Sequence, residues 1–127
     1  MDKEDSTFII RLPIRTVSEA NSSEFWRIKA KRHKEQKKMI FDYWAKFNPV
    51  IKLPANVVLI RVAPRELDSH DNLRVSFKYL TDAISECLTG IKKAGRADSD
   101  KRITWDYKQE KGNVREYAIR IEIQPAA

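Results

Sequence analysis

The sequence predicts an α+β domain: a small mixed β-sheet of about four strands packed with two helices, in the order β-α-β-α-β-β. Three observations carry that prediction. Two long segments repeat apolar residues at helical spacing, a short central run is apolar almost throughout, and β-branched or alternating apolar runs lie towards both ends. At 127 residues, 42% of them hydrophobic, the chain is of a size to form one domain over residues 1–127, with residues 1–6 and 125–127 expected as flexible ends.

The elements follow in order. Residues 7–14 are rich in β-branched and aromatic side chains and stop at turn chemistry, which reads as a first strand. The polar connector 18–23 offers helix caps: Asn21 and Glu24 have the spacing of a capping box, and Ser22 or Ser23 could cap instead. A long helix is expected from about residue 22 to 47, apolar at its ends through Phe25, Trp26 and Ile28, then Ile40, Trp44 and Phe47. Its middle, residues 29–38, has almost no core-facing side chain. That part must be solvated, cover a partner subunit, or lie along a phosphate backbone. Asn48-Pro49 ends the helix, because proline lacks a donor and restricts its predecessor.

Residues 57–62 read as a central strand ended by Pro64. A second helix is expected over residues 72–89, where Leu73, Phe77, Leu80, Ile84 and Cys87 recur at steps of four and three. Cys87 on that stripe reads as a small core residue rather than a nucleophile. Residues 90–100 form a loop. Residues 102–107 and 117–123 each alternate, and Lys111-Gly112-Asn113 between them predicts a hairpin.

The formal charge of +7 predicts a polyanionic partner. The cations cluster: Arg27, Lys29, Lys31, Arg32, Lys34, Lys37 and Lys38 are opposed only by Glu35. Such a run is either a binding surface or a well-solvated helix face. No apolar run reaches the length of a membrane helix and the N-terminus lacks a signal-peptide pattern, so no membrane association is expected. A single cysteine fits a reducing cytoplasm. Two histidines and that cysteine leave little for a zinc site, and no phosphate-binding loop, dinucleotide turn or nucleophile elbow is present.

Against this basic background, residues 65–73 form an acid-rich turn feeding a helix. Carboxylates repel phosphate unless a divalent cation lies between them, so the contrast points to magnesium-dependent chemistry on nucleic acid. Asp68 and Asp71 are three residues apart and could share one ion, with Asp71 favoured by the helix N-terminus. Asp98 and Asp100, from the loop before the hairpin, are the second acidic point. The competing reading makes Asp71 an ordinary helix cap and His70 a solvent-exposed side chain.

The stretch 67–73 (Leu-Asp-Ser-His-Asp-Asn-Leu), Lys78, Asp82 and the stretch 98–107 through Trp105 and Tyr107 resemble the RusA-type Holliday-junction resolvases of phages and prophages. Residues 18–21, Trp26 and residues 31–34 are similar to the N-terminal half of phage members, so the likeness covers about residues 7–123. The resemblance implies a homodimeric, Mg2+-dependent endonuclease that cuts branched double-stranded DNA in recombination and repair. It implies metal ligation by Asp71 and Asp98, with Asp68 or Asp100 completing the set. Where the family pattern often has an acid two positions before the motif aspartate, this chain has Ser69; a one-residue bulge would bring Asp68 into place, or coordination is altered. The prototype's lysine four positions after that aspartate is Val75 here; the resemblance favours Lys78 as the catalytic cation, where phage relatives carry a lysine, with Arg74 as its substitute. Lys78 could equally pair with Asp82 along the helix. Arg27, Lys31, Arg32, Lys34 and Lys38 are the expected DNA contacts. The alternative is a non-catalytic DNA- or RNA-binding protein whose acids only cap helices.

Overall fold

The computed structural model describes residues 7–17, 25–68, 70–91 and 100–126, with His70 and Asp71 described by backbone alone. The order is β1 (Phe8–Leu12), α1 (Trp26–Phe47), β2 (Ala55–Ala63), α2 (His70–Ser76), α3 (Lys78–Thr89), β3 (Ile103–Lys111) and β4 (Ala118–Pro125). The architecture is α+β with one four-stranded mixed sheet, as the sequence predicts. The capping candidates Asn21, Ser22, Ser23 and Glu24 lie outside the described residues.

The sheet order is β1-β4-β2-β3. Strand β2 pairs parallel with β3 from Ala55↔Ile103 to Ala63↔Lys111, and antiparallel with β4 on its other side. The expected hairpin is therefore corrected: β3 and β4 are antiparallel but separated by β2. Residues 112–117 cross the end of β2, and the Gly112 N–H donates to the Ala63 carbonyl. A Cβ at Gly112 would come within 2.9 Å of the Glu116 carboxylate and 3.1 Å of Val62, so a larger residue would have to displace those side chains.

One face of the sheet carries the core. Ile10, Val57, Leu59, Ile119, Ile121 and Ile123 meet Ile40 of α1 and Leu80 and Ile84 of α3. The opposite face holds a smaller cluster of Ile60, Val62 and Ala118. Above it Arg120 reaches across β2 and pairs with Glu110 on one side and Glu122 on the other. Those two carboxylates raise the Arg120 pKa, and hydrogen bonding to Arg120 lowers that of Glu110.

The helix expected over residues 72–89 starts earlier and is two helices. His70 is already helical, so Asp71 lies inside the first turn of α2 rather than capping it. The break falls at Phe77 (φ −97°, ψ 1°), whose ring is fully buried and stacks on Tyr107 at 5.9 Å between centroids. The Ser76 hydroxyl donates to the Leu73 carbonyl, 2.6 Å, where α2 ends. Burial of that ring against β3 coincides with the break between the two helices. At the top of α2, the Gln109 side chain receives the Leu67 N–H, 2.9 Å, and donates to the Leu67 carbonyl, 3.2 Å. The acid-bearing turn is thus fastened to β3.

Helix α1 ends where expected: Asn48 adopts a left-handed conformation (φ 41°) and its N–H donates to Trp44. Its middle is not wholly solvated, however. Gln36 is buried there and His33 stacks on Tyr79 of α3 at 3.3 Å, while Ile40 of the expected apolar end is buried too. Conversely Phe25, Trp26 and Ile28, expected as an apolar end, are more than half exposed. At the C-terminal end β4 runs to Pro125 and the Ala126 N–H donates to the Pro54 carbonyl. Truncating Phe77→Ala should lower unfolding free energy by about 3–5 kcal/mol, measured by urea titration, because the side chain closes both α2 and the main core.

Candidate nucleic-acid interface

Helical spacing places Arg27, Lys31, Lys34 and Lys38 on one stripe of α1, opposite the buried Gln36 and Ile40. All four are exposed, and Arg32 is half-buried on the flank. They are not equally available. Lys38 is held by Asp42 at 2.6 Å, while Lys31 only approaches Glu35, at 4.0 Å. The Arg27 guanidinium lies over the Trp26 ring, 5.4 Å from its centroid. Exposed pairs of this kind are weak and exchange readily for phosphate.

Beside the stripe runs a groove of about 620 Å³ between α1 and the segment after β1, to which Lys31, Arg32 and Arg15 contribute cations. Arg15 also lines a neighbouring cavity of about 270 Å³ with Thr16, Arg61, Arg65 and Tyr117. Next to that, Arg65 borders a shallow depression of about 450 Å³ with Glu66, Asp68 and Lys111. Shared lining residues therefore connect basic helix, arginine cavity and acidic turn. The last two sit at the C-terminal end of β2, the end of parallel strands where ligands of α/β sheets commonly bind.

The expected acids fall in different places. Asp68 is exposed in the turn after β2, and among the described residues no hydrogen bond or ion pair engages it. Its neighbour Glu66, which no spacing or motif in the sequence singles out, is equally exposed in the same depression. Asp71 is on the first turn of α2, its side chain outside the described residues, and Asp98 also lies outside them. Asp100 is elsewhere. It is 7% exposed at the start of β3, where one oxygen accepts the Arg102 N–H at 3.0 Å and the other meets Nη2 at 2.8 Å. Ile103 pairs with Ala55, whereas the Leu67 turn is tied to Gln109, six residues along β3. That separates Asp100 from the acidic turn by roughly 20 Å. Asp68 and Asp100 are not brought together, and Asp100 anchors Arg102. Among the described residues no three His, Cys, Asp or Glu side chains converge.

The two expected catalytic cations are also separated. Arg74 is exposed on α2, whereas Lys78 opens α3 beyond the break at Phe77. Seven residues therefore do not make two turns of one continuous face. The Lys78 ammonium lies 5.8 Å from the centroid of the Tyr79 ring.

Burial and the nearby Glu86 push the Cys87 thiol up to about 12. At pH 8 only on the order of one thiol in ten thousand is then ionised. Cys87 should react with a disulfide reagent at least about 100-fold more slowly than free cysteine at pH 8, and urea unfolding should abolish the difference. Asp100→Asn should destabilise the fold by about 1–3 kcal/mol whether or not magnesium is present, read by urea titration with and without EDTA.

No protein-family model matches the chain, and no curated protein matches it in sequence.

Proposed function

We propose that this protein is a magnesium-dependent endonuclease that hydrolyses phosphodiesters in branched duplex DNA, as the RusA-type resolvases it resembles do in recombination and repair. The supporting observation is the adjacency at Arg65: cations suited to a phosphodiester adjoin carboxylates suited to a hard cation. The Arg27, Lys31, Arg32, Lys34 and Lys38 surface lies along backbone phosphates. Asp68 and Asp71 hold the ion, with Asp98 as the third ligand the resemblance implies.

Asp68 fits a magnesium ligand because its carboxylate is exposed and, among the described residues, unengaged. Magnesium also needs few protein ligands, since water and substrate phosphate complete its shell. When bound, the ion supplies an acidified water and neutralises the leaving oxygen. Water adds to phosphorus and one P–O ester bond breaks, leaving a phosphomonoester and a hydroxyl. Arg74, on the same short helix as Asp71, is the better placed cation to stabilise the charged phosphorus centre; Lys78 serves from the next helix. A two-fold homodimer presents two such sites to symmetric arms of a four-way junction, and a cytoplasmic location suits this substrate.

A second reading, a nucleic-acid-binding protein without catalysis, is favoured by the distance of Asp100 from the acidic turn. Cleavage of a labelled four-way junction with magnesium separates the two. Wild type should cut, and Asp71→Asn and Asp98→Asn should each slow cutting by on the order of 100-fold or more while junction binding in EDTA persists. An Asp71→Asn protein that cuts at the wild-type rate would discard the nuclease. Under either reading Lys31→Gln with Lys34→Gln should flatten the salt dependence of binding, by about one in log–log slope for each lost phosphate contact.

A further inference from the structure

The core face of β2 runs Ala55, Val57, Leu59 and then Arg61. An arginine continuing an apolar stripe on a central strand requires an explanation. Arg61 is 8% exposed, and burial lowers its pKa. Its Nη1 donates to the Arg65 carbonyl at 2.7 Å, but its Nε is shielded from solvent with no acceptor. Among the described residues no carboxylate pairs with it, and the nearby Arg15 opposes its charge. The Thr16 hydroxyl, on a residue 3% exposed, is a second buried polar atom without a partner in the same cavity. Arg15 extends over the Tyr117 ring, 4.4 Å from its centroid, and Arg65 closes the other side.

The Arg15 and Arg61 guanidinium groups repel one another across one small cavity whose wall Arg65 also lines, and a buried charge without a counter-ion is unfavourable. Lone donors and excess positive charge at one point are the complement of a tetrahedral oxyanion, which accepts bidentate guanidinium and hydroxyl hydrogen bonds together. We propose that the Arg15–Thr16–Arg61–Arg65 cavity binds a phosphate group, and that in the working protein this is a backbone phosphate of the DNA strand next to the acidic turn. The strand's identity rests on the nucleic-acid reading above; the oxyanion site stands on the cavity alone. It explains an otherwise uncompensated charge in the sheet. It also assigns a register, with the strand passing from the α1 groove through Arg15 to Arg61 before it reaches Asp68.

The test uses inorganic phosphate as probe, in EDTA at ionic strength held constant with chloride, and thermal unfolding as readout. Wild type should gain a few degrees in Tm with phosphate. Arg61→Leu, Arg15→Ala and Arg65→Ala should lose that gain, while Lys108→Gln, which removes the same charge from the opposite sheet face, keeps it. Arg61→Leu should also melt no lower than wild type without phosphate, because an uncompensated buried charge has been removed. If that variant does not fold, the exposed positions 15 and 65 decide the matter alone. Four-way-junction binding supplies the second arm, where each variant should lower the log–log salt slope by about one. A phosphate effect lost in the variants of a protein that binds no nucleic acid would keep the cavity as a site for a free phosphoryl ligand and remove the nuclease reading. Equal phosphate shifts in all variants, with junction affinity and slope unchanged, would overturn the cavity and leave that reading standing.

Discussion

Strand β2 is hydrogen-bonded along its length on both edges, parallel to β3 and antiparallel to β4, and that double pairing constrains everything else in the molecule. A parallel partner cannot be reached by a tight turn, so the chain must leave the top of β2 and return to its bottom. Helices α2 and α3 make that return, and α3 packs against α1 over the core face. The turn carrying Glu66 and Asp68 is where the return begins. Its position at the C-terminal end of β2 follows from topology before any side chain is considered.

The same strand separates what local sequence encodes from what only long-range pairing decides. Val57 to Val62 is legible as a central strand because apolar residues dominate it, and the alternation of Ile103, Trp105 and Tyr107 correctly gives the inward face of β3. Pairing partners are not legible in the same way. A glycine-containing turn between two alternating strands reads equally well as a hairpin or as a crossing over a third strand, since only long-range pairing distinguishes them. The break at Phe77 was hidden for a related reason. Apolar spacing continues through it unchanged, and the ring's contact with Tyr107 comes from thirty residues downstream.

The candidate site was legible in its charges but not in their grouping. The basic stripe of α1 and the exposed acid at Asp68 are where spacing puts them. Asp100 looked like part of an acidic pair, and only the fold shows it buried against Arg102. Arg61 was visible as a charge inside an apolar run, yet such a residue in a strand commonly points to solvent. Period-two counting from Leu59 would have placed it on the core face and singled it out. Glu66 carries no signal beyond its proximity to Asp68.

Gln109 fastens the Leu67 backbone through both ends of one primary amide, donor and acceptor together. The side chain behaves as an extra rung of the ladder, laid along the outer edge of β3. A glutamate of the same length could receive the Leu67 N–H but could offer nothing to the carbonyl, and an asparagine would stop one methylene short. The height of the acidic loop above the sheet is accordingly fixed by the reach and polarity of a single uncharged residue that never touches the acids themselves.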